Sequence, residues 1–155
     1  MPSPIHGGPL DTLKAALVAL AGAGVTVKRC SRFYRSVPVP ASDQPWYLNA
    51  VAEVASDLHP ARLMALMHEI EADFGRIRST ANAPRVLDLD LLIHGERVSG
   101  PGEWPCLPHP RLSERAFVLL PLAELAPDWR HPRTGRCLAE LIEALPRDQL
   151  AEPMM

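Results

Sequence analysis

The chain has 155 residues, a net charge of −2, and 47% hydrophobic against 22% charged residues. A chain of that length and balance folds as one domain with a sizeable core, which excludes wholesale disorder. A pI near 6.3 excludes a nonspecific polyanion binder, which needs a basic surplus, so no nucleic-acid partner is expected. The longest apolar stretch, Ala15 to Val27, is interrupted by two glycines and Thr26 and is too short to span a bilayer. No signal peptide is expected, because the first ten residues have neither a basic start nor an apolar run. Cys30, Cys106 and Cys137 are scattered, with no C-x-x-C. Neither a disulfide framework nor a structural zinc is therefore expected, and a reducing cytoplasm fits. The 17 prolines, about twice the usual share, predict long shaped loops. All basic residues but Lys14 and Lys28 are arginine. That bias suits bidentate contacts to carboxylate or phosphate, and it equally suits a GC-rich genome.

In chain order, residues 1–10 are expected to be irregular. Asp11 is placed to cap a helix with apolar positions Leu13, Leu17 and Leu20, ended by Gly22 and Gly24. Val25 to Ser36 predicts a strand, rich in β-branched and aromatic residues. Val37-Pro38-Val39-Pro40 forces an extended loop as far as Pro45, and Tyr47 to Ser56 predicts the next strand. Pro60 suits a first helical turn, followed by the stripe Leu63, Leu66, Met67, Ile70 and Phe74, with Gly75 at the end. Arg76 to Pro84 is expected as a polar loop, Val86 to Ile93 as an apolar strand, and His94-Gly95-Glu96 as a turn. A proline-rich loop follows from Pro101 to Pro110. A helix is expected over Ser113 to Leu120, kinked or restarted by Pro121, and a short helix over Leu138 to Leu145. Residues 146–155 are expected as a tail. The reading is one α+β domain spanning residues 1–155, with helices on one face of a mainly antiparallel sheet.

The segment Arg85-Val86-Leu87-Asp88-Leu89-Asp90-Leu91-Leu92 carries the clearest chemistry. In extended chain Asp88 and Asp90 share one face and the leucines the other. Adjacent carboxylates repel unless a cation lies between them. Mg²⁺, which takes one or two carboxylates and completes its shell with phosphate and water, answers that need; a solvated strand face is the plainer reading. Arg76, Arg78 and Arg85 surround the pair in sequence, either as weak surface ion pairs or as a polyphosphate clamp. No Walker-type loop and no glycine-rich kinase loop is present. Tyr47 with Asn49 on the same strand face, and Phe117 further along, are either core residues or a slot for a flat heterocycle whose edge Asn49 reads. His109, between Pro108 and Pro110, is a plain loop histidine or part of the anion side.

These segments occur in an order that resembles a known family. They are Phe33-Tyr34-Arg35-Ser36-Val37-Pro38, Gln44-Pro45-Trp46-Tyr47-Leu48-Asn49-Ala50, Phe74-Gly75-Arg76-Ile77-Arg78, Ala83 to Leu92, and Leu107-Pro108-His109-Pro110-Arg111. From Leu13 to Leu145 the chain resembles the hydroxymethyldihydropterin pyrophosphokinases of folate biosynthesis. The resemblance implies a ferredoxin-like α+β fold and transfer of pyrophosphate from ATP to a hydroxymethyl dihydropterin, releasing AMP. It implies two Mg²⁺ ions on Asp88 and Asp90, and catalytic charge neutralisation by Arg76 and Arg85. ATP contacts fall to Arg78, Leu91, His109 and Arg115. Pterin contacts fall to Ser36, Val37, Val39, Tyr47, Asn49 and Phe117. The implied partners are small molecules alone, with neither membrane nor nucleic acid.

Two departures stand out. Ala81-Asn82 occupies the place where many relatives carry Arg-Trp. The family's opening strand is expected to be absent, because Met1 falls about where it should have ended. A monomer is expected when that strand is present, and a non-catalytic pterin- or nucleotide-binding module of the same fold is the alternative. A dimeric regulatory domain of ferredoxin-like type accounts for the fold but not for Asp88, Asp90 and the arginines.

Overall fold

In the structure, a computed structural model that describes residues 9–36, 47–75 and 87–154, proline at the first helical position opens α1, Pro9–Gly22. The helix thus starts two residues ahead of Asp11, which lies in its first turn rather than at its cap, where a carboxylate still favours the positive helix end. Its buried residues are Thr12, Ala16 and Leu20, one i, i+4, i+8 line, with Leu13 and Leu17 only half-buried beside it. Gly24, at φ +93, turns the chain out of the helix. The Val25 N–H then closes onto the Leu20 carbonyl at 3.0 Å.

The remaining elements are β1 (Thr26–Cys30), β2 (Tyr34–Ser36), β3 (Tyr47–Asn49), β4 (Ala52–Ala55), α2 (Pro60–Gly75), a 3-10 turn at Leu112–Glu114, α3 (Ala116–Leu125), α4 (Leu138–Glu143) and β5 (Ala151–Pro153). β1 pairs with β4, and β3-β2-β5 form a separate three-stranded sheet that is antiparallel throughout. The chain is therefore α+β with antiparallel pairing, but the two strands expected over Val25–Ser36 and Tyr47–Ser56 are each broken in two. The breaks face each other. The Ser31 N–H donates to the Val51 carbonyl at 2.8 Å, and the Val51 N–H donates to Ser31 Oγ at 3.0 Å. A side-chain oxygen thus replaces a ladder carbonyl, and both strands bend where they would otherwise have run on.

The chain divides into two compact units. The first comprises residues 1–27 and 54–91. Here α1 packs on α2, whose buried residues Leu63, Met67, Ile70 and Phe74 keep the predicted helical spacing. Leu66 is only half-buried, at the edge of that stripe. Each fully buried side chain of this size stabilises the unit by roughly 1.5–3 kcal/mol. Among residues 87–93 no strand forms, contrary to the expectation for Val86–Ile93. The Leu89 N–H is taken by the Glu71 carboxylate of α2 instead of by a neighbouring strand, so no ladder can propagate through it.

The second unit comprises residues 28–53 and 92–155. Its core gathers Val51, Leu112, Val118, Leu119, Leu122, Leu138 and Leu141. The helix expected over Ser113–Leu120 is displaced. A 3-10 turn comes first, Arg115 is extended at φ −119 and ψ 113, and α3 then runs through Pro121 to Leu125. Pro121 is the sixth of the ten residues of α3, where its missing N–H removes one backbone bond, and its own ring is buried. The Gly95 turn forms as expected, with φ +61 and the Arg97 N–H on the His94 carbonyl at 3.1 Å. The expected tail contains β5, which extends the sheet on the outer edge of β2. Ala-Glu-Pro has no strand propensity to announce it. No helix among the described residues is long and apolar enough to cross a membrane.

One buried group of this unit predicts a pH response. His131 is 8% exposed, its Nδ1 accepts the Arg133 N–H at 3.2 Å, and its ring meets Trp129 edge-on at 5.6 Å. Burial, then the Arg133 charge, lowers its pKa. The folded state therefore favours the neutral ring. The resulting stability is complete above the ordinary histidine value and is lost as pH falls through the lowered one. The melting temperature should drop on acidification below about pH 6.5, before the carboxylates titrate. His131→Asn, which keeps an acceptor in the place of Nδ1, should flatten that limb of the curve. An unchanged acid limb in the variant would assign it to other groups.

Candidate functional site

Five of the residues singled out from sequence, Val37, Val39, Arg76, Arg78 and Arg85, lie outside the described residues. The others are described within their own units.

In the first unit, burial alternates along the acidic segment. Leu87 and Leu91 are 4% and 8% exposed, Leu89 is half-buried, and Asp88 and Asp90 are exposed. The period-2 division of faces expected from sequence is thus present without the strand ladder. Glu71, which sequence reasoning missed, binds the peptide N–H between the two aspartates and fixes the backbone that carries them. Among the described residues no group of three or more histidine, cysteine, aspartate or glutamate side chains forms a metal cluster. The protein's donor set here is a carboxylate pair, which fits a hard cation that draws its other ligands from phosphate and water.

In the second unit, β2 and β3 pair Tyr34 with Asn49 and Ser36 with Tyr47. These four side chains therefore share one face, with Arg35 and Leu48 on the other. Asn49 Nδ2 donates to Ser36 Oγ at 3.0 Å. That bond sets the rotation of the amide, whose Oδ1 and second N–H can then meet complementary groups on a planar ligand. Tyr47 is 51% exposed, which is not the behaviour of a core aromatic. Phe117, on α3, is half-buried against the core, and the Arg115 guanidinium lies over its ring at 5.4 Å, a cation–π distance.

His109 is fixed on both sides. Its N–H donates to the Leu92 carbonyl at 2.8 Å, and its Nδ1 accepts the Arg111 N–H at 3.1 Å. An accepting Nδ1 puts the ring proton on Nε2, the form that can donate to an anionic oxygen.

A second glutamate organises β2. Glu124 of α3 accepts the Arg32 N–H at 2.9 Å, Arg32 Nε at 3.0 Å and the hydroxyl of the buried Tyr34. Burial pushes this carboxyl up, but the bonds from Tyr34 and Arg32 outweigh it and hold it below the usual carboxylate range. Burial, then the bond to Glu124, raises the Tyr34 hydroxyl. Glu124→Leu removes the acceptor shared by these donors and should cost about 1–3 kcal/mol, a fall of several degrees in melting temperature. Glu124→Gln keeps one accepting oxygen and should cost less. Equal melting of the leucine variant and the unaltered protein would deny the network its role.

Residues 6–127 match the sequence model of the family described as 7,8-dihydro-6-hydroxymethylpterin-pyrophosphokinase (HPPK). The chain belongs to the HPPK family. Members similar to it include the 2-amino-4-hydroxy-6-hydroxymethyldihydropteridine pyrophosphokinase of Synechocystis sp., 44% identical over 138 residues, which are 88% of this chain and 70% of that protein. The enzyme of the same description from Pseudomonas aeruginosa is 41% identical over 141 residues, 89% of this chain and 85% of that protein. The folic acid synthesis protein fol1 of Pneumocystis carinii is 34% identical over 139 residues, 90% of this chain but 19% of that longer protein. HPPK membership agrees with the motifs read from Phe33 to Arg111.

Proposed function

We propose that this HPPK-family chain transfers pyrophosphate from ATP to 6-hydroxymethyl-7,8-dihydropterin, giving AMP and the pterin diphosphate, a step of folate biosynthesis. The observation that carries the reading is the exposed Asp88–Asp90 pair on a segment anchored by buried Leu87 and Leu91, within a family whose described activity is this one. In the reaction the hydroxymethyl oxygen attacks the β-phosphorus, and a new O–P bond forms. The bond from the β-phosphorus to the bridging oxygen breaks, AMP leaves with that oxygen, and the hydroxyl proton passes to solvent.

The residue roles are those that the family resemblance implies. Asp88 and Asp90 would hold two Mg²⁺ ions, which would supply charge neutralisation on the triphosphate. Arg76 and Arg85 meet the charge that develops on the transferred group. Arg78, Arg115, Leu91 and the Nε2–H of His109 serve the ATP side. Tyr47 and Phe117 stack on the pterin, Asn49 reads its edge, and Ser36 with the backbone at Val37 and Val39 completes the edge contacts. The mixed helix and antiparallel-sheet content supports a ferredoxin-like arrangement, and the three scattered cysteines without a C-x-x-C suit a reducing cytoplasm.

The test incubates the protein with ATP, Mg²⁺ and the hydroxymethyl dihydropterin and follows AMP. Production of AMP that depends on the pterin is expected. ADP in its place would indicate transfer of one phosphoryl group, and AMP without pterin would indicate hydrolysis; either overturns the reading.

A further inference from the structure

We infer that Gln149 is a positioning residue for substrate binding, holding the start of α3 where Arg115 and Phe117 meet their ligands; this rests on the function proposed above. The first N–H groups of any helix lack intrahelical acceptors, and the residue before α3, Arg115, provides no side-chain cap. Ala116 is 2% exposed, so its N–H cannot turn to water. Its acceptor comes from 33 residues further along the chain: Gln149 Oε1 takes the Ala116 N–H at 3.1 Å. The peptide so held lies directly between Arg115, whose guanidinium stacks over Phe117, and Phe117 itself.

Gln149 is in turn anchored on its own backbone, with its N–H on the Pro146 carbonyl at 3.1 Å. Immediately after it, β5 pairs Ala151 with Ser36 of β2, and the Met154 N–H reaches the Phe33 carbonyl at 2.8 Å. One short stretch, residues 149–154, thus fixes both the helix start that bears Phe117 and the strand that bears Ser36. It lies beyond residues 6–127, where the family match ends.

The requirement at this position is an acceptor, neither a charge nor a volume. Gln149→Glu keeps an accepting oxygen beside a helix N-terminus, where a negative charge is tolerated. Gln149→Leu keeps the size and removes the acceptor. With both variants and the unaltered chain, pterin affinity is measured by fluorescence titration well below the melting temperature, alongside steady-state kinetics. Gln149→Leu should raise both the pterin Kd and the pterin KM by about tenfold, the effect of one lost hydrogen bond, and Gln149→Glu should restore both to within about twofold. A role confined to stability would lower the melting temperature of the leucine variant but leave the pterin Kd of the folded protein unchanged, and that result overturns the inference. Should Gln149→Leu not fold, Gln149→Asn, one methylene too short to reach Ala116, serves the same comparison. If the unaltered chain binds no pterin, the functional reading itself fails; if it binds and the acceptor-deficient variant binds equally well, only the role of Gln149 fails.

Discussion

Asp88→Ala and Asp90→Ala should each lower pyrophosphate transfer by about 10³-fold or more, the scale expected when a charge-stabilising group at the reacting phosphate is lost. Both carboxylates are exposed while Leu87 and Leu91 are buried, so truncating either aspartate removes no core packing. Stability should stay within about 0.5 kcal/mol, as for surface substitutions. Asn substitutions should fall between, because an amide oxygen still ligates a hard cation but brings no negative charge. The assay is AMP release at saturating Mg²⁺ together with thermal unfolding. Either alanine variant retaining most of its activity under those conditions would falsify the metal assignment.

What could be read in the sequence followed the range of the interactions involved. The helices α1 and α2 were legible because their signals are local: glycine at the end of each, Pro60 at the start of α2 and the helical spacing of Leu63, Met67, Ile70 and Phe74. The start of α1 at Pro9 was missed because Asp11 reads as a cap. The division of faces in the acidic segment was legible for the same reason, since period-2 alternation needs no partner. The broken strands were not, because the bend at Ser31 is set by Val51, twenty residues away, and no propensity encodes it. β5 was invisible because Ala151–Pro153 is a strand only by virtue of β2 beside it.

The same limit applies to the site. Tyr47 and Asn49 were placed on one face from their spacing, and the β2–β3 register does so. The three side chains that hold the functional segments in place were missed. Glu71 reaches Leu89 across 18 residues, Gln149 reaches Ala116 across 33, and Glu124 reaches Tyr34 across 90. Each is a polar residue on a helix or in a loop, where solvation is the ordinary expectation. Only the fold reveals that a buried or orphaned donor needs it.

The second large effect is expected at Arg85 and Arg76. Their positions flank the aspartate pair in sequence, Arg85 three residues before Asp88 and Arg76 directly after the Gly75 that ends α2. In the proposed reaction the bridging oxygen gains negative charge as AMP departs, so the demand for cationic partners is greatest in the transition state. Only interactions that strengthen there accelerate the chemical step. Arg85→Ala and Arg76→Ala should therefore lower kcat by about 10²–10³-fold, comparable to the loss of a single transition-state donor, while the Kd for ATP rises far less. Arg→Lys should recover only part of the rate, because a point charge cannot reproduce a bidentate hold on two phosphate oxygens. Single-turnover rates and equilibrium ATP titrations separate the two quantities. A large loss of ATP affinity with an unchanged single-turnover rate would assign these arginines to ground-state binding, and the charge that matters in the transition state would then have to be met by the aspartate-held cations and the remaining arginines.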